Sequence, residues 1–140
     1  AGGLISEKYI GRPALELPHE NRSITKYNLI IEEFGGWDAY QNLLILMQKI
    51  ARKHGTSISN VASRYVLQKP KVAAVIVGAR NSSHLEDNLE LFKFELDEED
   101  LEKISEITVN APGPKGDIYD LERVKGGKHA GIMKYDLNKK

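Results

Sequence analysis

The apolar positions of this chain fall into helical stripes, interrupted once by a run of a different kind. Residues from Trp37 or Asp38 to His54 carry Tyr40, Leu43, Leu44, Met47, Ile50 and Ala51 at spacings of three and four, one face of an α-helix. Asp38 stands where a first-turn acid belongs. Lys49, Arg52, Lys53 and His54 crowd the negative end of the dipole, and Gly55 supplies a left-handed stop. A preceding helix is expected from about Ser23 to Phe34, ended by Gly35 and Gly36. A third runs from Ile58 to Gln68, capped by Thr56 or Ser57, burying Val61, Ala62, Tyr65 and Val66 and ending before Pro70.

Next comes Val72-Ala-Ala-Val-Ile-Val77, apolar without alternation and rich in β-branched residues. A strand buried on both faces of a parallel sheet reads this way. Gly78 ends it, and Asn81, Ser82 or Ser83 can cap a short helix reaching about Leu91. Asp97 caps another, with Leu101, Ile104 and Ile107 on its apolar face. Residues 1–18 are broken by Gly2, Gly3, Gly11, Pro13 and Pro18 and read as irregular. From Pro112 onward the chain reads as a Gly- and charge-rich tail in which Tyr119, Leu121, Ile132, Met133, Tyr135 and Leu137 are the anchoring candidates.

The single strand matters most. Alone it cannot pair its backbone groups, and each buried unpaired group costs about 1–3 kcal/mol. Its partners must come from other sequence, a second polypeptide or another copy of this chain. The pattern therefore predicts a piece of a larger α/β domain.

Composition changes this picture little. The 140 residues carry 20 basic and 20 acidic side chains, so no sequence-wide pull toward nucleic acid or an anionic membrane is expected. There is no cysteine, which excludes disulfides and thiolate metal sites and fits a reducing, cytoplasmic setting. No apolar run approaches the roughly 18 residues of a membrane span. The four His residues stand singly, without a pair at helical metal spacing. His129 with Glu122 and Asp117 could be imagined as a site, but a solvated tail is the simpler expectation. The spacing of Ala51, Gly55 and Val61 also suits a DNA-binding helix-turn-helix, with Ser57, Ser59, Asn60 and Arg64 toward the groove. The zero net charge and the buried strand after Pro70 argue against it.

The densest polar constellation follows the strand: Gly78, Arg80, Ser82, Ser83, His84, Asp87 and Asn88. A helix N-terminus offers free N–H groups to a phosphate, glycine permits close approach, and arginine suits phosphate or a purine face. The stretch Val75-Ile-Val-Gly-Ala-Arg-Asn-Ser-Ser-His-Leu-Glu-Asp-Asn-Leu89 resembles the last barrel strand and following helix of aldo-keto reductases. That resemblance implies that Gly78, Arg80, His84, Asp87 and Asn88 contact the adenosine 2′-phosphate and adenine of NADP(H). His84 stands where the family usually has Gln or Arg, and Asp87 where it has Glu. Ala1-Gly-Gly-Leu-Ile-Ser-Glu-Lys-Tyr9 and Asn21-Arg-Ser23 are similar to the segment after the seventh strand, which implies Gly2, Lys8 and Arg22 near the pyrophosphate. Ala51 to Gly55, Val61 to Tyr65 and Lys69-Pro70 resemble the helices before the last strand.

The resemblance implies the C-terminal portion of a (β/α)8 TIM barrel: mostly helical, with one buried parallel strand at about 72–77, incomplete as a barrel on its own. Residues 1–110 are then the barrel part with its NADP-binding segments, and 111–140 a C-terminal tail. The parent enzyme is expected to reduce an aldehyde or ketone by hydride transfer. The family's catalytic Asp, Tyr, Lys and His have no counterpart here, so no residue is assigned a catalytic or metal role and the chain alone is expected to be inactive. Tyr9, Tyr27, Tyr40 and Tyr65 read as packing residues. The expected partner is the missing N-terminal barrel half, or a second copy meeting the sheet edge. A non-catalytic module that binds NADP or a protein is the alternative.

Overall fold

In the computed structural model the helices form where the stripes place them. The structure describes residues 2–16, 21–78 and 85–133. Helix α1 is Arg22–Phe34, α2 is Gly36–His54, α3 is Ile58–Leu67, α4 is Leu85–Glu90, α5 is Glu98–Val109 and α6 is Ile118–Leu121. Short 3-10 turns occupy Glu7–Tyr9 and Ala130–Ile132.

The helix ends obey local chemistry. Asn21, Ser57, Asp97 and Asp117 each cap a helix by accepting from a backbone N–H two or three residues on, relieving donors that the helix itself cannot pair. At the end of α2, Gly55 takes φ +65° and the Thr56 N–H reaches back to the Ala51 carbonyl at 2.9 Å. That left-handed stop is available to glycine at little cost.

The chain divides into two units. One comprises Ala1–Leu4, Pro13–Tyr40 and Ala111–Lys140; the other comprises Ile5–Arg12 and Gln41–Asn110. In the first, Leu4 and Ile31 are buried, and Tyr40 is buried with its hydroxyl donating to the Leu4 carbonyl. Trp37 leans on Tyr40 with ring centroids 4.8 Å apart. In the second, the buried set is Leu43, Leu44, Met47, Ile50, Ala51, Ile58, Val61, Leu91, Leu96 and Ile104. The whole predicted stripe of α2 is thus buried. On α3 the inward face is Ile58, Asn60 and Val61, whereas Ala62 and Tyr65 are half-buried and Val66 is exposed.

The expected buried strand at 72–77 is not formed. No strand occurs among the described residues, and residues 72–78 carry no regular secondary structure. Ile76 is 100% exposed and Val77 44% exposed. The cause is the one that the backbone accounting anticipates: without neighbouring strands there is no ladder for these N–H and C=O groups, and water takes them instead. The tail also differs from a solvated one. His129 and Glu122 are buried, and the segment carries α6 and a 3-10 turn. Tyr135 and Leu137 lie outside the described residues. Among the described residues no helix is long and apolar enough to cross a membrane.

Candidate functional site

In the unit formed by Ile5–Arg12 and Gln41–Asn110, the residues following α3 are the ones singled out by the sequence. Gly78 is exposed, and a Cβ built there would meet nothing within 4 Å, so its backbone is open to approach. Arg80 and His84, with the capping candidates Asn81, Ser82 and Ser83, lie outside the described residues. Asp87 and Asn88 sit on α4, a helix of six residues. The carbonyl of Asp87 accepts from Asn60 Nδ2 at 2.8 Å, and its carboxylate Oδ1 lies 3.4 Å from the same nitrogen. Asn60 is 3% exposed and also reaches Thr56 Oγ1 at 3.2 Å. It therefore pins α4 to α3. The Nδ2 of Asn88 is buried and has no hydrogen-bond partner among the described residues. A buried amide donor in that state costs about 1–3 kcal/mol.

Lys8, in the same unit, is exposed, its Nζ 4.8 Å from the centroid of the Tyr9 ring. Nearby, Gln41 holds the same short turn by accepting from Gly11 N–H and donating to the Tyr9 carbonyl, at 2.8 and 2.9 Å. Glu7 Oε1 accepts from the Ile58 N–H at 2.7 Å, satisfying a donor in the first turn of α3.

The other two residues implied by the resemblance belong to the other unit. Gly2 has φ +59°, and a Cβ there would lie 2.7 Å from Tyr27 Cδ2. Both the backbone angle and the space call for glycine. Arg22 opens α1, and its Nη2 donates to the carbonyl of Ile132.

The helix-turn-helix arrangement loses its reading residues to internal bonds. Asn60 is buried as described, Ser57 caps α3, and Arg64 pairs with Glu95 at 2.7 Å while donating to Gln68 at 3.1 Å. His129, Glu122 and Asp117 do not converge either: His129 turns to Glu33, Glu122 pairs with Lys26, and Asp117 caps α6. No cluster that could hold a metal ion occurs among the described residues.

Two polar clusters had no signal in the sequence pattern. At the end of α2, Asp100 is buried, with Lys53 Nζ 2.9 Å from Oδ1 and His54 Nε2 2.6 Å from Oδ2. Lys53 also contacts Asp97 Oδ2 at 2.5 Å. The Asp97 carboxylate beside it pushes the Lys53 ammonium up to about 12, and Lys53 in turn holds Asp97 down to about 2. The second cluster is Tyr65, whose hydroxyl accepts from Lys69 at 2.7 Å and lies 3.4 Å from Thr108 Oγ1. Burial pushes the phenol up, but the Lys69 and Thr108 hydrogen bonds outweigh it and leave the group below its ordinary value.

Among the described residues, clefts occur within each unit. One of about 310 Å³ is lined by Glu33, Pro112, Gly113, Pro114, Lys115 and Leu121. The other, about 200 Å³, lies among Leu46, Lys49, Ile50, Lys53, Glu99, Asp100 and Lys103. Neither contains a residue of the Gly78–Asn88 constellation.

Residues 1–109 match the aldo/keto reductase family, and the chain belongs to it. It is 39% identical over 62 residues to NADPH-dependent codeinone reductase 1-5 of Papaver somniferum, a match covering 44% of this chain and 19% of that protein. An aryl-alcohol dehydrogenase of Pestalotiopsis microspora is 34% identical over 64 residues, covering 46% of this chain and 17% of its own length. The (1S)-1,7-diacetoxy-luvungin A aldo-keto reductase of Citrus sinensis is 37% identical over 62 residues, covering 44% and 19%. The matched stretch is therefore under a fifth of the length of each of these relatives.

Proposed function

We propose that this chain is the C-terminal, NADP(H)-binding part of an aldo-keto reductase barrel, whose parent enzyme reduces aldehyde or ketone carbonyls. The observation that carries the reading is the Asn88 amide, buried without a partner one turn into α4, beyond the open backbone of Gly78. A purine edge or ribose phosphate would supply the missing acceptor once its binding uncovers the amide, and Gly78 offers an open backbone to the same ligand. The name of the codeinone reductases, NADPH-dependent, supports the same cofactor.

The residues fit this group at Gly78 and Asn88. Asp87 keeps a second role through Asn60, and Arg22 already donates to the Ile132 carbonyl. With Arg80 and His84, these residues would hold the adenosine end, and Gly2, Lys8 and Arg22 the pyrophosphate. Bound NADPH supplies the hydride that turns a carbonyl into an alcohol. The chain's own contribution is to bind and orient. It offers no residue matching the family's proton donor, so by itself it is inactive.

Residues 72–77 support a second element of the reading. An apolar, β-branched run left exposed is what a barrel strand becomes when its neighbours are not supplied. The partner proposed for it is the N-terminal barrel half or, failing that, another copy of this chain. Barrel enzymes gather their sites at the C-terminal ends of strands, and Gly78 directly follows residues 72–77, which supports the reading.

Fluorescence titration of the full chain with NADPH tests the cofactor reading. We expect saturable binding, weaker binding of NADH, and about tenfold weaker NADPH binding for Asn88→Ala, equivalent to roughly 1.4 kcal/mol. No saturable binding, or equal affinity for NADH, would reject it.

A further inference from the structure

Residues 111–133 are fastened along α1 at three levels. Near the helix C-terminus, Glu33 Oε1 contacts Lys128 Nζ at 2.8 Å and His129 Nε2 at 3.0 Å. In mid-helix Lys26 pairs with Glu122, and at the N-terminus Arg22 donates to the Ile132 carbonyl. Gly113 comes so close that a Cβ there would lie 3.1 Å from the Glu33 carbonyl oxygen. The Lys128 ammonium, with His129 beside it, outweighs the effect of burial and holds the Glu33 carboxyl below its ordinary value.

Two of these fastenings are poorly matched. His129 is 4% exposed, and its Nδ1 is buried with no partner among the described residues. Docking therefore holds one polar atom unsatisfied, and release would return it to water. Arg22 gives its guanidinium to a neutral main-chain carbonyl, although that planar fork is suited to a phosphate oxyanion, which it can hold through two parallel N–H···O bonds. The segment thus sits on a group with a better ligand.

We propose that residues 111–133 form a releasable strap, and that a diphosphate-bearing ligand at Arg22 opposes its docking on α1. The proposal rests on the reading of Arg22 as a pyrophosphate contact. Linkage makes the opposition reciprocal: whatever factor the ligand takes from the docked strap, loosening the strap returns to ligand affinity. The charged groups facing His129 are Glu33 from α1 and Lys128 from the strap, and the Lys26–Glu122 pair holds the strap further along.

Hydrogen exchange on the full chain reads the strap through the amides of Gly131, Ile132 and Met133, which bond to the carbonyls of Gly127, His129 and Ala130. Inorganic pyrophosphate is the probe, its binding measured by calorimetry. Saturating pyrophosphate is expected to speed exchange of these amides about fivefold, at the low end of ordinary coupling. Glu33→Gln loosens the strap without altering Arg22, so it should bind pyrophosphate about fivefold more tightly, with far-UV circular dichroism confirming that α1 persists. Arg22→Gln should exchange fast without ligand and show no response. Pyrophosphate binding without a change in exchange overturns the coupling, as does a Glu33→Gln chain that binds no tighter. NADPH binding without pyrophosphate binding also overturns the coupling and leaves the cofactor reading standing. Absence of binding by both overturns the two together.

Discussion

Ile76 separates the chain as it stands from the barrel it is proposed to complete. In this structure its side chain is wholly exposed, with Val77 beside it 44% exposed. Exchange for serine removes no buried apolar area, so the cost to the isolated chain should stay within about 0.5 kcal/mol, as for other surface changes. In a barrel strand buried on both faces the same side chain would contribute about 1.5–3 kcal/mol by its burial alone. Truncating it there leaves a cavity and a hydroxyl to desolvate, raising the loss to roughly 2–5 kcal/mol. Urea denaturation followed by far-UV circular dichroism gives both numbers. One pair of proteins is the chain with and without Ile76→Ser; the other is the same pair joined to an N-terminal aldo-keto reductase half. A difference of at least about 1.5 kcal/mol between the two contexts is expected. Equal losses in both, or a loss above about 1 kcal/mol in the isolated chain, would refute it.

Three further outcomes follow from the helical units. Leu44→Ala, at a fully buried position of α2, should destabilise by about 2–5 kcal/mol in the same urea assay, because the site empties a core volume. Asp100→Ala removes the acceptor of His54 and should cost about 1.5–3 kcal/mol, with Lys53 keeping Asp97 as a partner. Thermal unfolding across pH should report the Lys53–Asp97 pair at both extremes. Asp97 is depressed from 3.8 to about 2, so its contribution is complete above pH 3.8 and is lost as pH falls toward 2. Lys53 is raised from 10.5 to about 12, so its contribution is complete below pH 10.5 and is lost as pH rises toward 12. Asp97→Asn should flatten the acid limb, and an unchanged limb would contradict the assignment.

The stripe of α2 was legible because all six of its apolar residues serve one purpose, and every one is buried. Helix α3 was legible in extent but not in face. Its inward set includes Asn60, which a reading of apolar spacing passes over; Asn60 is buried because Thr56 and the Asp87 carbonyl satisfy it. Caps such as Asp97 announced themselves, since the chemistry is local. The pairing of Glu33 with His129 did not, because 96 residues separate them and nothing periodic links the two. The run at 72–77 shows the limit most clearly. Its composition states what environment it needs, but forming a strand depends on partners that composition cannot provide. Of the candidate site, Gly78 was legible as the glycine ending an apolar run, and the structure leaves its backbone open. The unpaired state of the Asn88 amide and the Asn60 bond to Asp87 emerge only from packing.

On the function proposed above, this chain contributes cofactor binding and no catalytic group. NADPH oxidation, read as the loss of nicotinamide absorbance in the presence of an aldehyde or ketone panel, tests that directly. The chain is assayed alone and after fusion to an aldo-keto reductase N-terminal half bearing the catalytic Asp, Tyr, Lys and His. We expect no turnover by the chain alone and turnover by the folded fusion, reduced at least tenfold at subsaturating NADPH by Asn88→Ala. Turnover by the chain alone, or a folded fusion indifferent to Asn88, would contradict it.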